Sequence, residues 1–216
     1  AGLAKAALAV TVNGIQKDLN DPINEDSRVS IITIDSDDGL EIMRHTLTAQ
    51  VLARAVKNLF PGTKLAIGPT ITDGFYYDFE FKKPISPEDI DSIEKEMKKI
   101  ISSNSVITKH INTKKEAIEI FKSEGESYKE SIINDSEQED GFQLYYQDDS
   151  KFVDLCRGPH IPSFKHIGAF KLLKIAGAYW KGNSDNKMLT RIYGTAWKNE
   201  KDLNAYLDRI EEAEKR

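Results

Sequence analysis

From Leu40 to Phe60 apolar residues recur at helical spacing, with Leu47, Val51, Leu52, Ala55, Val56 and Leu59 in phase, and Pro61-Gly62 ends the run. One long helix is therefore expected, entered from the polar Ser36-Asp37-Asp38-Gly39. Ahead of it, Ala1 to Leu8 is helix-compatible and the period then changes to two. Val10-Thr11-Val12, Asn13-Gly14 and Ile15 form a hairpin signal, because Asn-Gly accepts the positive φ angles of a type I′ turn, and Val29–Ile34 is a further strand. After the helix, Lys64–Ile71 and Phe75–Phe81 read as two strands joined by Thr72-Asp73-Gly74. Ser86-Pro87-Glu88-Asp89 and Thr113-Lys114-Lys115-Glu116 are helix starts of the capping-box type, leading into Ile90–Ile101 and a helix to about Lys122, with a strand at Val106–Ile111 between them. Gly125–Lys129 reads as a loop entering a short element. Aromatic-rich strands come next at Phe142–Tyr146, Phe152–Cys156, Phe170–Ile175 and Lys187–Tyr193, and a helix from Glu200 to Lys215 closes the chain.

The pattern makes the chain α+β. Residues 1–36 offer at most three strands, too few for an independent sheet with a covering layer, and Ala1-Gly2-Leu3-Ala4-Lys5 reads as an element cut partway through. A piece of a longer protein is expected.

Composition bounds the function. The 216 residues are 39% hydrophobic and 30% charged, with no apolar run near twenty residues and no signal segment, so no membrane span is expected. A lone cysteine cannot form an internal disulfide, which suits a reducing cytoplasm. The net charge of −5 argues against a general nucleic-acid binder, but its distribution is uneven. Glu116–Asp149 holds eleven acidic residues against two lysines, whereas Lys165–Lys198 holds seven basic residues against Asp185 alone. A polyanion would meet the second region, unless both are simply solvated faces.

Candidate chemistry concentrates in Asp154-Leu155-Cys156-Arg157-Gly158-Pro159-His160. Gly158-Pro159 bars a regular helix, so Cys156 and His160 converge by a turn. A second polar segment, Arg44-His45-Thr46-Leu47-Thr48-Ala49-Gln50, lies far away in sequence, and the two together can close one cleft. The competing reading is structural: a small buried thiol and hydrogen-bonded histidines.

Gly68–Phe79, Asp154–His160, and Gly177–Ser184 through Arg191–Trp197 resemble the amino-terminal region of bacterial threonyl-tRNA synthetases, and the resemblance runs over essentially the whole chain. It implies a partial ubiquitin-like TGS domain at 1–36 and an editing domain at 40–198, whose mostly antiparallel sheet is covered by helices. Residues 199–216 would be a helix leading toward an absent catalytic domain. The activity implied is hydrolysis of serine wrongly esterified to threonine tRNA. By the same correspondence Cys156, His160 and His45 position water and substrate, and Lys129 orients the water or meets negative charge. Tyr77 touches the substrate or the terminal ribose, and Asp154 takes the serine amino group or holds a neighbour. Arg157, Lys171, Lys174 and Lys181 are the expected tRNA contacts. The resemblance implies the tRNA acceptor end as partner, a monomeric fragment of a dimeric parent, and ATP, magnesium and zinc in the parent's catalytic body.

The first segment departs from the family's His-x-x-x-His. Gln50 falls where the second histidine would stand, with one extra residue after His45, and Gln50 and Thr46 are expected to contact the substrate. Five residues turn about 140° beyond a full helical turn, so His45 and Gln50 share a face only if the helix starts after His45, whereas Thr46 and Gln50 are four apart. His45 entering from a pre-helical position is preferred to Thr46 replacing it. The resemblance extends to alanyl editing proteins, which hold zinc with His-x-x-x-His plus Cys-x-x-x-His. With glutamine a poor fourth ligand, no metal is expected here, and a three-ligand zinc site is the alternative. A zinc-dependent alanyl-type hydrolase and a tRNA-docking module without catalysis are the rival functions.

Overall fold

The computed structural model describes residues 1–216. In chain order its elements are α1 (Gly2–Ala6), β1 (Ala7–Val12), β2 (Ile15–Lys17), β3 (Val29–Thr33), α2 (Asp37–Thr46), a π-helical turn (Leu47–Leu52), α3 (Ala53–Leu59), β4 (Lys64–Leu65), β5 (Thr70–Ile71) and β6 (Gly74–Glu80). Next are α4 (Pro87–Ser102), β7 (Ile107–Asn112), α5 (Lys114–Ser123), α6 (Ser127–Asp135), β8 (Phe142–Gln147), β9 (Val153–Leu155), β10 (Ala169–Tyr179), β11 (Met188–Trp197) and α7 (Glu200–Glu214). Helices and antiparallel sheets mix throughout, an α+β fold.

Local chemistry accounts for most of these boundaries. Asn13 and Gly14 both take positive φ, 52° and 82°, which closes the β1–β2 hairpin with Val12 opposite Ile15. Ser36 Oγ accepts the Gly39 N–H at 3.0 Å, and Asp37 and Asp38 sit at the positive end of the α2 dipole. Reciprocal side-chain and backbone bonds form the capping boxes at Ser86/Asp89 and Thr113/Glu116.

The strands make three antiparallel sheets: β2-β1-β3, β10-β11-β6-β4 with β5 pairing β6, and β7-β8-β9. The long β10–β11 ladder extends past Ile175 to Tyr179, further than the apolar pattern reaches, and β10 is mostly exposed there. Lys64–Ile71 is not one strand but two short ones, and Gly68 lies in the gap. A Cβ at Gly68 would stand 2.1 Å from the Tyr77 ring, so only glycine leaves space for that ring.

One core spans the molecule. Phe75, Tyr77 and Phe79 of β6 are fully buried against Leu47, Val51 and Leu52, with Ile93, Met97 and Ile100 of α4 in the same cluster. Each such side chain contributes roughly 1.5–3 kcal/mol by leaving water. Leu8, Ala9 and Ile32 of the first sheet enter this core too. A smaller cluster of Ala117, Phe121, Ile133, Phe142, Leu144 and Val153 seats α5 and α6 on the β8–β9 edge. No helix is long and apolar enough to cross a membrane.

Candidate active site

The two polar segments meet. His45 sits in the last turn of α2, and its Nε2 lies 2.6 Å from Cys156 Sγ; the neighbouring Thr46 Oγ1 lies 2.9 Å from His160 Nδ1. The expectation that His45 acts from a pre-helical position is therefore corrected, and the choice between His45 and Thr46 dissolves, because both engage the cluster. The π turn begins directly after Thr46. Ala53 N–H reaches the Thr48 carbonyl, five residues back, so the helix takes in one residue more than an α turn holds without breaking.

Gln50 does not reach the cleft. It is fully buried, and its backbone carbonyl and Oε1 accept from Gln147 Nε2 at 2.9 and 3.1 Å. Ala49, one position earlier, lines the cavity instead. The substrate contact expected of Gln50 is corrected accordingly.

Gly158 supplies the bend between Cys156 and His160. Its φ is +65°, and a Cβ there would fall 2.2 Å from Tyr145 Oη. The folded turn lets Gly158 N–H donate to Cys156 Sγ at 3.0 Å and Ile161 N–H donate to Thr46 Oγ1 at 3.1 Å. It also stacks the His160 ring on His45, with centroids 4.6 Å apart and planes 6° from parallel, while Tyr145 stands edge-on to His160 at 4.4 Å. His160 Nε2 is buried without a partner.

Beside this cluster a second one holds opposite charges. Lys129 Nζ lies 2.9 Å from Asp154 Oδ1, Tyr77 Oη donates to Oδ2 at 3.3 Å, and Leu155 N–H donates to Oδ1 at 2.8 Å. The side chains of Lys129, Asp154 and Tyr77 are all buried. Lys129 is delivered by α6, not by a loop. The start of α6 is tied down by buried Glu126, which accepts the Leu65 N–H at 2.8 Å and pairs with the Lys57 ammonium.

Burial sets the protonation states. It lowers His45 to about 4, with the Lys129 charge adding to the effect, and holds His160 well below the ordinary histidine range, His45 adding there. It pushes the Cys156 thiol up to about 12. It also raises the Asp154 carboxyl against the pull of Lys129, and keeps the Tyr77 phenol firmly protonated. At neutral pH the cluster thus holds two uncharged imidazoles and an uncharged thiol. A thiol in that state is a donor rather than a nucleophile.

A cavity of about 950 Å³ is lined by His45, Ala49, Gly68, Tyr77, Lys129, Asp154 and Cys156, with Arg157 and Lys181 also on its wall; His160 and Thr46 do not line it, and His160 borders a different cavity. Lys181 takes φ +56° and pairs with Asp135 of α6 at 2.8 Å. The other two expected tRNA contacts are placed elsewhere. Lys171 pairs with Glu94 at 3.1 Å and Lys174 stands over the Tyr193 ring at 5.0 Å, and neither borders the cavity. Sequence reasoning missed Ala49, Asp135, Tyr145 and Asp18. Asp18 accepts the His160 N–H from across the molecule, and no local motif marks it.

The donor set can be tested against zinc. The ligating atoms of His45, Cys156 and His160 lie within 4.8 Å of one another, yet His45 and Cys156 are in direct contact. Two such ligands of one tetrahedral zinc stand about 3.5 Å apart, given bonds of about 2.1 and 2.3 Å. Gln50, at the fourth position, is committed to Gln147. The His45–Cys156 spacing is too short for two ligands of one ion and no fourth protein ligand stands by, so the three side chains with a water as fourth ligand are the zinc set this cluster offers.

Residues 143–193, which run from within β8 to within β11 and include the Cys156–His160 turn, match the family described as the threonyl and alanyl tRNA synthetase second additional domain. The whole chain is 50% identical to the threonine–tRNA ligase of Hahella chejuensis over 215 residues and to that of Acidithiobacillus ferrooxidans over 215, covering 100% of this chain and 33% of each relative. The ligase of Francisella tularensis is 50% identical over 214 residues, again covering 33% of the relative. The chain therefore spans about a third of the length of the curated relatives it matches.

Proposed function

Taking as premise that the chain matches the amino-terminal part of bacterial threonine–tRNA ligases, we propose that its cavity hydrolyses serine wrongly esterified to threonine tRNA. The observation that carries this reading is that His45 and Cys156, with His160 stacked on the His45 ring, share one cavity wall with the buried Lys129–Asp154 pair, His160 itself lying off that wall.

An aminoacyl ester is already activated, so its cleavage needs an aligned water and donors for the developing oxyanion more than a covalent nucleophile. The neutral thiol agrees with that demand. His45, at about 4, is too weak a base to keep a proton at pH 7, so with its Nε2–H given to Cys156 Sγ it accepts a hydrogen bond from the attacking water at Nδ1. Water oxygen bonds to the ester carbon, the ester C–O bond breaks, and the water's proton passes to the ribose oxygen as serine leaves. Lys129 has ammonium protons beyond the one given to Asp154, and these face the oxyanion. Asp154 thus holds Lys129 rather than the serine amino group, and Tyr77 anchors Asp154.

A synthetic site rejects serine poorly, because one methyl is worth only about 1–3 kcal/mol, and a second pocket too small for threonine removes the error afterwards. The partner on this reading is the single-stranded acceptor end of threonine tRNA, met at the cavity mouth by Arg157 and Lys181. The whole ligase would join threonine to tRNA using ATP and magnesium with a zinc in its catalytic body. The chain alone is proposed to be monomeric, within a dimeric parent, and its hydrolysis metal-free.

Seryl- and threonyl-tRNA incubated side by side with the chain test the reading. Faster release of serine is expected, and equal release of both overturns it. A module that only docks tRNA would leave the His160→Ala variant and the unaltered chain at the same background rate.

A further inference from the structure

We infer that Asp18 is a positioning residue, which ties the leading β2-β1-β3 sheet to the hydrolytic cleft by holding the His160 backbone and the Tyr145 hydroxyl on one carboxylate. The inference rests on the proposed ester hydrolysis for its meaning.

Asp18 directly follows β2. Its Oδ1 accepts the His160 N–H at 2.8 Å and its Oδ2 accepts the Tyr145 O–H at 2.7 Å. The carboxylate is itself held in place. Asp21 accepts the Asp18 N–H at 3.1 Å, and Lys109 Nζ bridges the two acids at 3.3 and 2.5 Å. Asp18 is only 12% exposed at the side chain, although it stands on the wall of a second cavity of about 790 Å³ that His160, Lys109 and Arg157 also line.

The two bonds act on the same imidazole from different sides. The first fixes the backbone from which the His160 ring projects. The second fixes the phenol ring that stands 84° to the His160 ring at 4.4 Å and leaves no room for a Cβ at Gly158. Thr46 is the only hydrogen-bond partner of the His160 side chain, so its stacking on His45 depends on where the loop and Tyr145 are held. The first sheet is thus part of the cleft's support as well as of the core.

Three variants of the 216-residue chain test this. Asp18→Ala removes both bonds, Asp18→Asn keeps an acceptor for the His160 N–H and can donate to Tyr145 Oη, and Leu8→Ala weakens the core of the same sheet without touching the loop. Expected is a fall in kcat for serine release on the order of 10- to 100-fold in Asp18→Ala with little change in KM, the scale of a displaced catalytic group. Asp18→Asn should recover most of the rate, and Leu8→Ala should keep it at comparable thermal stability. The cross-peak between the Tyr145 and His160 rings in nuclear Overhauser spectra should vanish in Asp18→Ala and return in Asp18→Asn. Persistence of that cross-peak in Asp18→Ala, or an equal loss of kcat in Leu8→Ala, overturns the inference. If the unaltered chain leaves seryl-tRNA intact, the proposed hydrolysis fails, and the cross-peak alone decides the role of Asp18.

Discussion

His45 Nε2 and Cys156 Sγ touch at 2.6 Å although 111 residues separate them, joining the end of a helix to a turn between sheets. The thiol of Cys156 accepts from Gly158 N–H and carries its own proton at neutral pH, since burial pushes it up to about 12. Alkylation by iodoacetamide at pH 8 should therefore be far slower than for an unhindered cysteine, because the thiolate is the reacting form. Fast alkylation of the folded chain would contradict a neutral thiol. Cys156→Ala should lower serine release by about 10²-fold, the lower end of what the loss of one donor to a developing oxyanion costs.

The Thr46 hydroxyl bridges Ile161 N–H and His160 Nδ1 in a site with no exposure. Thr46→Val keeps the shape and strands both partners, so a loss of about 1–3 kcal/mol in denaturant unfolding is expected, together with slower hydrolysis. Thr46→Ser retains the oxygen and should lie much closer to the unaltered chain in both measurements. Equal stability of the valine variant would mean that the bridge contributes nothing.

Much of this arrangement is legible in the chain, and the part that is not has a physical cause. The Asn13-Gly14 turn and the Ser86 and Thr113 caps are local, so a few residues determine them. The long helix is readable from its period, but the π turn inside it is not. Every residue from Leu47 to Leu52 is buried, so the apolar pattern does not show how the helix takes up the extra residue seen after His45. That is why correspondence with the family's second histidine places Gln50 at the cleft and hides Ala49. Asp18 is invisible for a different reason: its partners lie 127 and 142 residues away, and only the tertiary fold brings them together.

Acid should destabilise the fold over a definite window. His45 titrates near 6.5 when unfolded and near 4 when folded, so the unfolded chain binds more protons between those values and stability falls as pH drops through them. The loss from this group approaches about 3 kcal/mol once pH is below 4, and His160 acts in the same direction. Above pH 6.5 neither contributes. His45→Phe should flatten the acid limb of stability measured by urea unfolding between pH 4 and 6.5, and an unchanged slope would refute the assignment.

Metal content gives an independent check. The His45–Cys156 contact must open by about 1 Å before both can share one zinc, and the fourth ligand is missing. Purified chain should carry far less than one zinc per molecule, and a chelator should leave its hydrolysis rate unchanged. Stoichiometric zinc with activity lost on chelation would favour the alanyl-type reading.

The Lys129–Asp154 pair should respond asymmetrically to single and double substitution. Both charges are buried, so Lys129→Ala or Asp154→Ala alone leaves an unpaired ion in the core and should cost about 3–5 kcal/mol. Lys129→Met with Asp154→Leu removes both charges at similar volume and should recover much of that stability, since the pair's attraction barely offsets its own desolvation. The double variant should nevertheless stay inactive, because Lys129 is the only ammonium among the buried residues and the proposed donor to the oxyanion. Stability by denaturant unfolding and serine release from seryl-tRNA, measured on the same preparations, separate the two roles. A stable and active double variant would remove Lys129 from the chemistry.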